Sequence, residues 1–463
     1  MELKEIVVRQ QAYFRTGKTR PIGKRIALLI RLKQSILKHE EDLYEAFYKD
    51  LGKGRAETYM AEISMVLEEI SHVMRNLSKW ARPKRVRGTL GTWPAKSRIY
   101  REPYGVVLVL APWNYPLLLA LSPVVGAIAA GNCVVLKCSK SSPNCAEVIA
   151  TIMREAFKEE EAYCVDATLD YDTVLQQDYQ YIFFTGSPRV GKTIMKRAAE
   201  DLIPVSLELG GKSPCIVTDS ANLRMAAKRI VWGKLLNAGQ TCITVDYLLV
   251  DEKVKEKLLA YIRSEIAKRY PDAVNNVNYP RIINAHHYQR LMGLIERAKA
   301  KAEASDGSRA VFGGEGKEEE RRIAPAIFTG VTWEDEIMEE EIFGPILPVI
   351  TYQNLDEAVE KINDRPHPLA TYIFTENRAL AHQLLKRIPF GGGCVNDTIL
   401  HISNPNMPFG GVGNSGMGGY HGKYSFETFS HRKSVVENTT KVDIPIRYGE
   451  LTDAKWKVLR KIL

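Results

Sequence analysis

Between Tyr104 and Leu136 the chain carries no charged side chain. About 20 apolar residues suffice to cross a bilayer, so the run is long enough to span one. Pro112, Asn114, Pro116, Pro123, Gly131 and Asn132 break it, and breaks of that kind expose backbone groups that lipid cannot satisfy. The segment therefore reads as buried strand, loop, helix and strand. Short apolar runs of this type recur at Val106 to Leu110, Cys133 to Leu136, Tyr181 to Phe184 and Ser213 to Val217. The stretches between them are long enough for crossover helices, which defines a doubly wound α/β pattern. A second series is expected at Tyr247 to Val250, Ala324 to Phe328, Ile346 to Tyr352 and Ala370 to Phe374. Two α/β halves are implied, without an internal repeat. Apolar spacing predicts one amphipathic helix over 24–51, ending at Gly52, and a second over 56–80. The acidic, glycine-containing stretch 303–320 reads as exposed helix end and loop.

A length of 463 residues suggests about two or three domains. Hydrophobic residues at 45% and charged residues at 26% are globular proportions and give no case for disorder or fibre. The net charge of +9 is spread along the chain. Its densest run, Arg82-Pro83-Lys84-Arg85-Val86-Arg87, lacks interleaved aromatics, so a solvated connector is expected and nucleic acid is not. Seven cysteines form no CxxC pair, which fits free thiols in a reducing compartment. The nine histidines form no HExxH or Cys/His cluster, and no metal is expected. The sequence Met1-Glu2-Leu3-Lys4-Glu5 lacks the apolar core of a signal peptide, so a cytoplasmic protein is expected.

Chemistry enters through several short motifs. Cys242 ends Gly239-Gln240-Thr241-Cys242, and Glu208 lies in Leu207-Glu208-Leu209-Gly210-Gly211-Lys212. A thiol is a strong nucleophile and a carboxylate on a glycine-bordered turn can activate water. Taken singly, each also reads as an inert buried cysteine and a solvated strand-end charge. Phe184-Thr185-Gly186-Ser187-Pro188-Arg189-Val190-Gly191-Lys192 follows a strand and opens a helix, a place for a pyrophosphate or a mere turn. Pro112-Trp113-Asn114-Tyr115-Pro116 sits where open α/β sheets place ligands, and an Asn amide there could serve an oxyanion. Glu341-Ile342-Phe343-Gly344-Pro345 offers a carboxylate for ribose hydroxyls and an aromatic face, or a strand start with a core Phe.

Taken in order, these motifs and Pro408-Phe409-Gly410-Gly411-Val412-Gly413-Asn414-Ser415-Gly416 resemble the aldehyde dehydrogenase superfamily, especially its class 3, fatty-aldehyde-type branch. The resemblance covers nearly the whole chain. It implies a Rossmann-like cofactor domain within 1–208, a catalytic domain over 209–398, and a return to the cofactor domain with bridging and oligomerisation elements over 399–463. Bridging segments are expected near 83–102 and 425–443. It further implies NAD(P)-dependent aldehyde oxidation, with Cys242 forming a thiohemiacetal and then a thioester. Asn114 and the Cys242 N–H would hold the oxyanion, and Glu208 would activate the hydrolytic water. By the same resemblance Lys137 is expected at the adenosine ribose, Ser187 at the pyrophosphate, Glu341 at the nicotinamide ribose and Phe343 against that ribose or ring. Trp113, Gly186 and Gly191 belong to the cofactor cleft, while Tyr115 and Asn396 support the site or line the substrate tunnel. A homodimer and a medium- or long-chain aliphatic, or aromatic, aldehyde are implied. The alternatives are acyl transfer to coenzyme A and a catalytically silent binding protein.

Departures from the family pattern sharpen two points. Lys140 stands in Lys137-Cys138-Ser139-Lys140 where the family usually has a Glu that repels a ribose 2′-phosphate. A lysine there would attract that phosphate by roughly 1 kcal/mol, favouring NADP; the other reading is a solvated side chain. Cys164-Val165-Asp166-Ala167-Thr168 lacks the usual paired glycines, so the loop there is expected to differ in shape. The tail, Lys455 to Leu463, is too short to span a bilayer; packing on a neighbouring subunit is expected in preference to contact with an anionic surface.

Overall fold

The computed structural model describes residues 2–443, 445–450 and 452–462. The uncharged run folds as strand Val106–Leu110, helix Pro116–Ala130 and strand Cys133–Lys137, all buried. Pro116 occupies the first turn of its helix, where a missing N–H costs nothing, and Gly131 closes it in the left-handed region at φ 98°. No described helix is long and apolar enough to cross a membrane.

Two sheets organise the molecule. The first runs Gly416–Met417, Val205–Leu209, Tyr181–Gly186, Val106–Leu110, Cys133–Lys137, Ala162–Val165. Its five long strands are parallel and the two-residue edge strand Gly416–Met417 is antiparallel. The order reverses between Val106–Leu110 and Tyr181–Gly186, which opens a crevice at their carboxyl ends. The second sheet runs Ala310–Gly313, Ala326–Thr329, Ile346–Tyr352, Tyr247–Asp251, Pro214–Val217, Ala370–Phe374, Gly392–Val395, parallel except for the first. Its central strands are buried, save Asp251 at the end of one, as expected with both faces covered. A third, antiparallel sheet joins Lys84–Val86, Lys96–Pro103 and Ser430–Glu437, the last an exposed edge.

Four expectations change. The helix expected over 24–51 is two, Ile22–Lys38 and Glu40–Leu51, broken at His39. The one over 56–80 begins at Arg55 and contains a π-helical turn at Tyr59–Ile63. The strand expected over 324–328 is Ala326–Thr329. The stretch 303–320, taken as loop, contributes Ala310–Gly313 to the large sheet and Gly316–Lys317 to a small hairpin. Pairing with a distant strand supplied the order that local polarity concealed.

Candidate active site

The thiol of Cys242 is half-buried and follows a turn in which Asn237, Ala238 and Gly239 adopt φ of 53°, 51° and 76°. Left-handed backbone costs non-glycine residues about 1–3 kcal/mol each and persists only where the surroundings impose it. Here they do. The Asn237 side-chain amide donates to the carbonyl oxygens of Asn114 (2.9 Å) and Gln240 (3.1 Å), and its backbone N–H donates to Glu57 Oε1 (2.8 Å). Gln240 Nε2 donates to the carbonyls of Asn237 and Arg281, while its Oε1 accepts from the Ile283 N–H at 3.0 Å. Thr241 Oγ1 lies 2.7 Å from the Tyr115 hydroxyl, Thr244 Oγ1 donates to Gly233 O, and the Tyr372 hydroxyl donates to Ile243 O. At Gly239 a Cβ would stand 2.3 Å from the Gly344 carbonyl oxygen, so the position admits only glycine.

Asn114 leaves the carboxyl end of Val106–Leu110 and is 3% exposed. One N–H of its amide donates to Gln240 O at 3.1 Å; a primary amide has a second N–H for an oxyanion. Glu208 lies near the carboxyl end of Val205–Leu209 and is 2% exposed, with neither carboxylate oxygen partnered among the described residues. Burial pushes its carboxyl well above the usual carboxylate range. Glu341 is pushed up to about 8, by burial first and by Asp246 second, while a hydrogen bond from the Gly211 backbone opposes the shift. Its Oε2 would meet a Cβ on Gly210 at 2.1 Å, so that glycine lets the carboxylate lie on the backbone. Burial, together with Glu341 and Glu208, pushes the Cys242 thiol up. The thiol therefore ionises against two nearby carboxyl groups in a poorly solvated space.

The crevice at the strand reversal gathers the residues expected to meet a dinucleotide. Trp113 and Phe343 meet edge to face at 5.4 Å, and His287, which the sequence reading passed over, lies 5.6 Å from Trp113. Phe343 is held at φ 54°. Ser187 is exposed and caps helix Pro188–Glu200, accepting from the Val190 N–H at 3.5 Å. Gly186 ends its strand on the Phe184 ring. Gly191, one turn into the helix, abuts the Leu209 side chain, so it serves helix-on-strand packing. Lys137 Nζ donates to Ala167 O at 2.9 Å and lies 5.1 Å from the Tyr171 ring centroid, while Lys140 is exposed beside it. Tyr171 carried no sequence signal. Asn396 has its amide committed: Nδ2 donates to Thr375 O and Oδ1 accepts from Thr375 N–H, clasping two strand ends. Tyr115 is buried and its hydroxyl is taken by Thr241. The site thus lies between the carboxyl end of the first sheet and the amino end of the second.

A five-stranded parallel sheet with a crevice at its order reversal, a capped helix N-terminus at that crevice, and a buried, unpartnered oxygen of half-buried Glu341 beside it fit a dinucleotide. With a thiol that feels the charge of two carboxyl groups, they outline an oxidoreductase site. The chain matches the aldehyde dehydrogenase family model over residues 1–435. It is 43% identical to the 4,4'-diaponeurosporen-aldehyde dehydrogenase of Staphylococcus aureus, over 94% of this chain and 93% of that one. It is 41% identical to the dimeric NADP-preferring aldehyde dehydrogenase of Canis lupus familiaris, over 94% of each. The solved substrate-bound AldH of Staphylococcus aureus superimposes with TM-score 0.95 at 40% identity, covering 100% of this chain and 99% of that one. An NAD+ complex of aldehyde dehydrogenase from Bacillus cereus gives 0.83 at 27% identity, covering 94% and 88%. The chain belongs to the aldehyde dehydrogenase family, and its activity is NAD(P)-dependent oxidation of an aldehyde.

Proposed function

We propose that Cys242 is the nucleophile, Asn114 an oxyanion donor and Glu208 the base of hydrolysis. The observation that carries this reading is the placement of a buried carboxyl with both oxygens unpartnered where its charge reaches the Cys242 thiol. While Glu208 is neutral it does not oppose ionisation of the thiol. The thiol gives up its proton to solvent, the thiolate adds to the carbonyl carbon, and the resulting alkoxide accepts from the free Asn114 N–H and the Cys242 backbone N–H. NAD(P), when bound, supplies the hydride acceptor, and oxidation leaves an acyl group on Sγ. With the sulfur esterified, Glu208, ionised against the cost of its burial, takes a proton from water as it attacks the acyl carbon. The C–S bond breaks and the acid leaves with Cys242 restored.

Trp113, Phe343 and Glu341 would hold the nicotinamide end of the cofactor, Ser187 and Gly186 the pyrophosphate, and Lys137 the adenosine ribose. Lys140, exposed beside Lys137, supports acceptance of NADP through its 2′-phosphate. The exposed edge strand Ser430–Glu437, a template for pairing, supports a homodimer, as does the dimeric canine relative. Seven free cysteines support a cytoplasmic site of action. The substrate is a medium- or long-chain aliphatic, or an aromatic, aldehyde.

NAD(P)H formation over a panel of aldehydes, with free acid and acyl-CoA both assayed, tests the reading. Free acid from the wild type and no turnover by Cys242→Ser are expected. Acyl-CoA as the sole product, or turnover retained by Cys242→Ser, would overturn it.

A further inference from the structure

Behind the nucleophile loop, Lys53 and Glu62 form an ion pair at 3.0 Å with both side chains fully buried. Taking two charges out of water costs several kcal/mol per ion, and an apolar pair of equal volume would serve stability as well or better. What the pair touches is more informative. Lys53 Nζ stands 3.5 Å from the Asn114 carbonyl oxygen and 4.4 Å from the Tyr115 ring centroid. Glu62 Oε2 accepts from the Leu118 N–H at 3.0 Å, in the first turn of helix Pro116–Ala130. The pair therefore grips residues 114–118 from both ends. Between its members in sequence, Glu57 accepts from Asn237 N–H at 2.8 Å and so holds the other side, the strained turn that leads to Cys242. All three acidic and basic groups lie on one short segment that contains the π-helical turn Tyr59–Ile63, a distortion frequent at functional sites.

We propose that Lys53, Glu57 and Glu62 are positioning residues for the reaction: they fix the Asn114 amide relative to the Cys242 thiol and so set the oxyanion site. Lys53 and Glu62 act on the Asn114 side, and Glu57 on the thiol side. The proposal rests on the oxyanion role assigned to Asn114 above. Misplacement of about 1 Å can slow an enzyme by about 100-fold without touching ground-state binding.

The test compares kcat, KM for aldehyde, cofactor affinity and the rate of Cys242 alkylation by iodoacetamide in full-length Lys53→Met, Glu62→Gln, Glu57→Gln, Glu57→Ala and Asn114→Ala. Where a single variant fails to fold, Lys53→Met/Glu62→Gln, which buries no lone charge, takes its place. Lys53→Met and Glu62→Gln are expected to lower kcat by about 10- to 100-fold, with KM, cofactor affinity and alkylation within about twofold of wild type. Glu57→Ala should slow alkylation as well, and Glu57→Gln, which keeps an acceptor oxygen for Asn237 N–H, should restore it. A kcat within twofold of wild type in folded Lys53 and Glu62 variants, beside an impaired Asn114→Ala, would overturn the positioning role alone. A fully active Asn114→Ala would overturn the oxyanion reading on which it rests.

Discussion

The loop that carries Cys242 and the strand end that carries Glu208 face the same space and are built on opposite terms. Around the thiol, Gln240, Thr241, Thr244 and the Asn237 amide nitrogen are all hydrogen-bonded, largely to backbone carbonyls, and two non-glycine residues are held in left-handed backbone. Glu208 has no partner for either oxygen among the described residues, and Glu341 has none for Oε1. Within the protein, the loop's polar atoms are paired save Asn237 Oδ1, whereas the carboxyls are left to solvent and ligand. A nucleophile needs one geometry; an acid–base group needs freedom to change charge.

The contrast can be broken most severely at the thiol. Cys242→Ser should lower kcat by on the order of 10³-fold or more, because a hydroxyl in a site that already disfavours the anion is a far weaker nucleophile; steady-state NAD(P)H formation reads it. Gln240→Ala attacks the rigid side. It strands the Ile283 N–H and the Arg281 carbonyl, so a loss of about 1–3 kcal/mol in denaturant unfolding is expected, together with slower Cys242 alkylation. A variant of unchanged stability would show that the loop is not held by this side chain. On the adjustable side, Glu208→Gln removes a carboxylate whose charge raises the thiol. The two proteins should alkylate alike at pH where the wild-type carboxyl is neutral, and the variant faster at higher pH, where the wild-type carboxylate opposes the thiolate; slower alkylation of the variant there contradicts the coupling. The smallest effect is expected at the far end of the crevice: Lys140→Glu should move the ratio of NAD to NADP affinities by about 5- to 10-fold towards NAD, measured by titration of the folded protein.

Much of this was legible in the sequence because it is local. Uncharged runs marked the strands, and the glycines bordering Glu208 marked a turn, though not that Gly210 lies against Glu341. The positions of Cys242, Asn114 and Glu208 came from short motifs in order. What stayed hidden depends on residues far apart in the chain. Lys53, Glu57 and Glu62 look like an ordinary charge pattern until the fold buries Lys53 and Glu62 behind Asn114 and sets Glu57 against Asn237. Asn396 was expected to support the site or line the substrate tunnel; that its amide ties to Thr375 across two strand ends is a contact no local motif announces. Ala310–Gly313 is a short apolar run inside a charged, glycine-containing stretch, and its pairing with Ala326–Thr329 orders it. Tyr171 covers Lys137 through a loop whose lack of paired glycines was visible but whose course was not.

The central claim is that Glu208 stays neutral while Cys242 reacts and ionises afterwards to release the acid. Rapid mixing of the Glu208→Gln variant with aldehyde and cofactor tests it most directly. The account predicts a first turnover of NAD(P)H close to one per active site, at a rate near that of the wild type. A steady state slower by about 100-fold or more should follow, without the rise in kcat with pH that an ionising base confers. Wild-type turnover, or loss of the first turnover along with the rest, would contradict it.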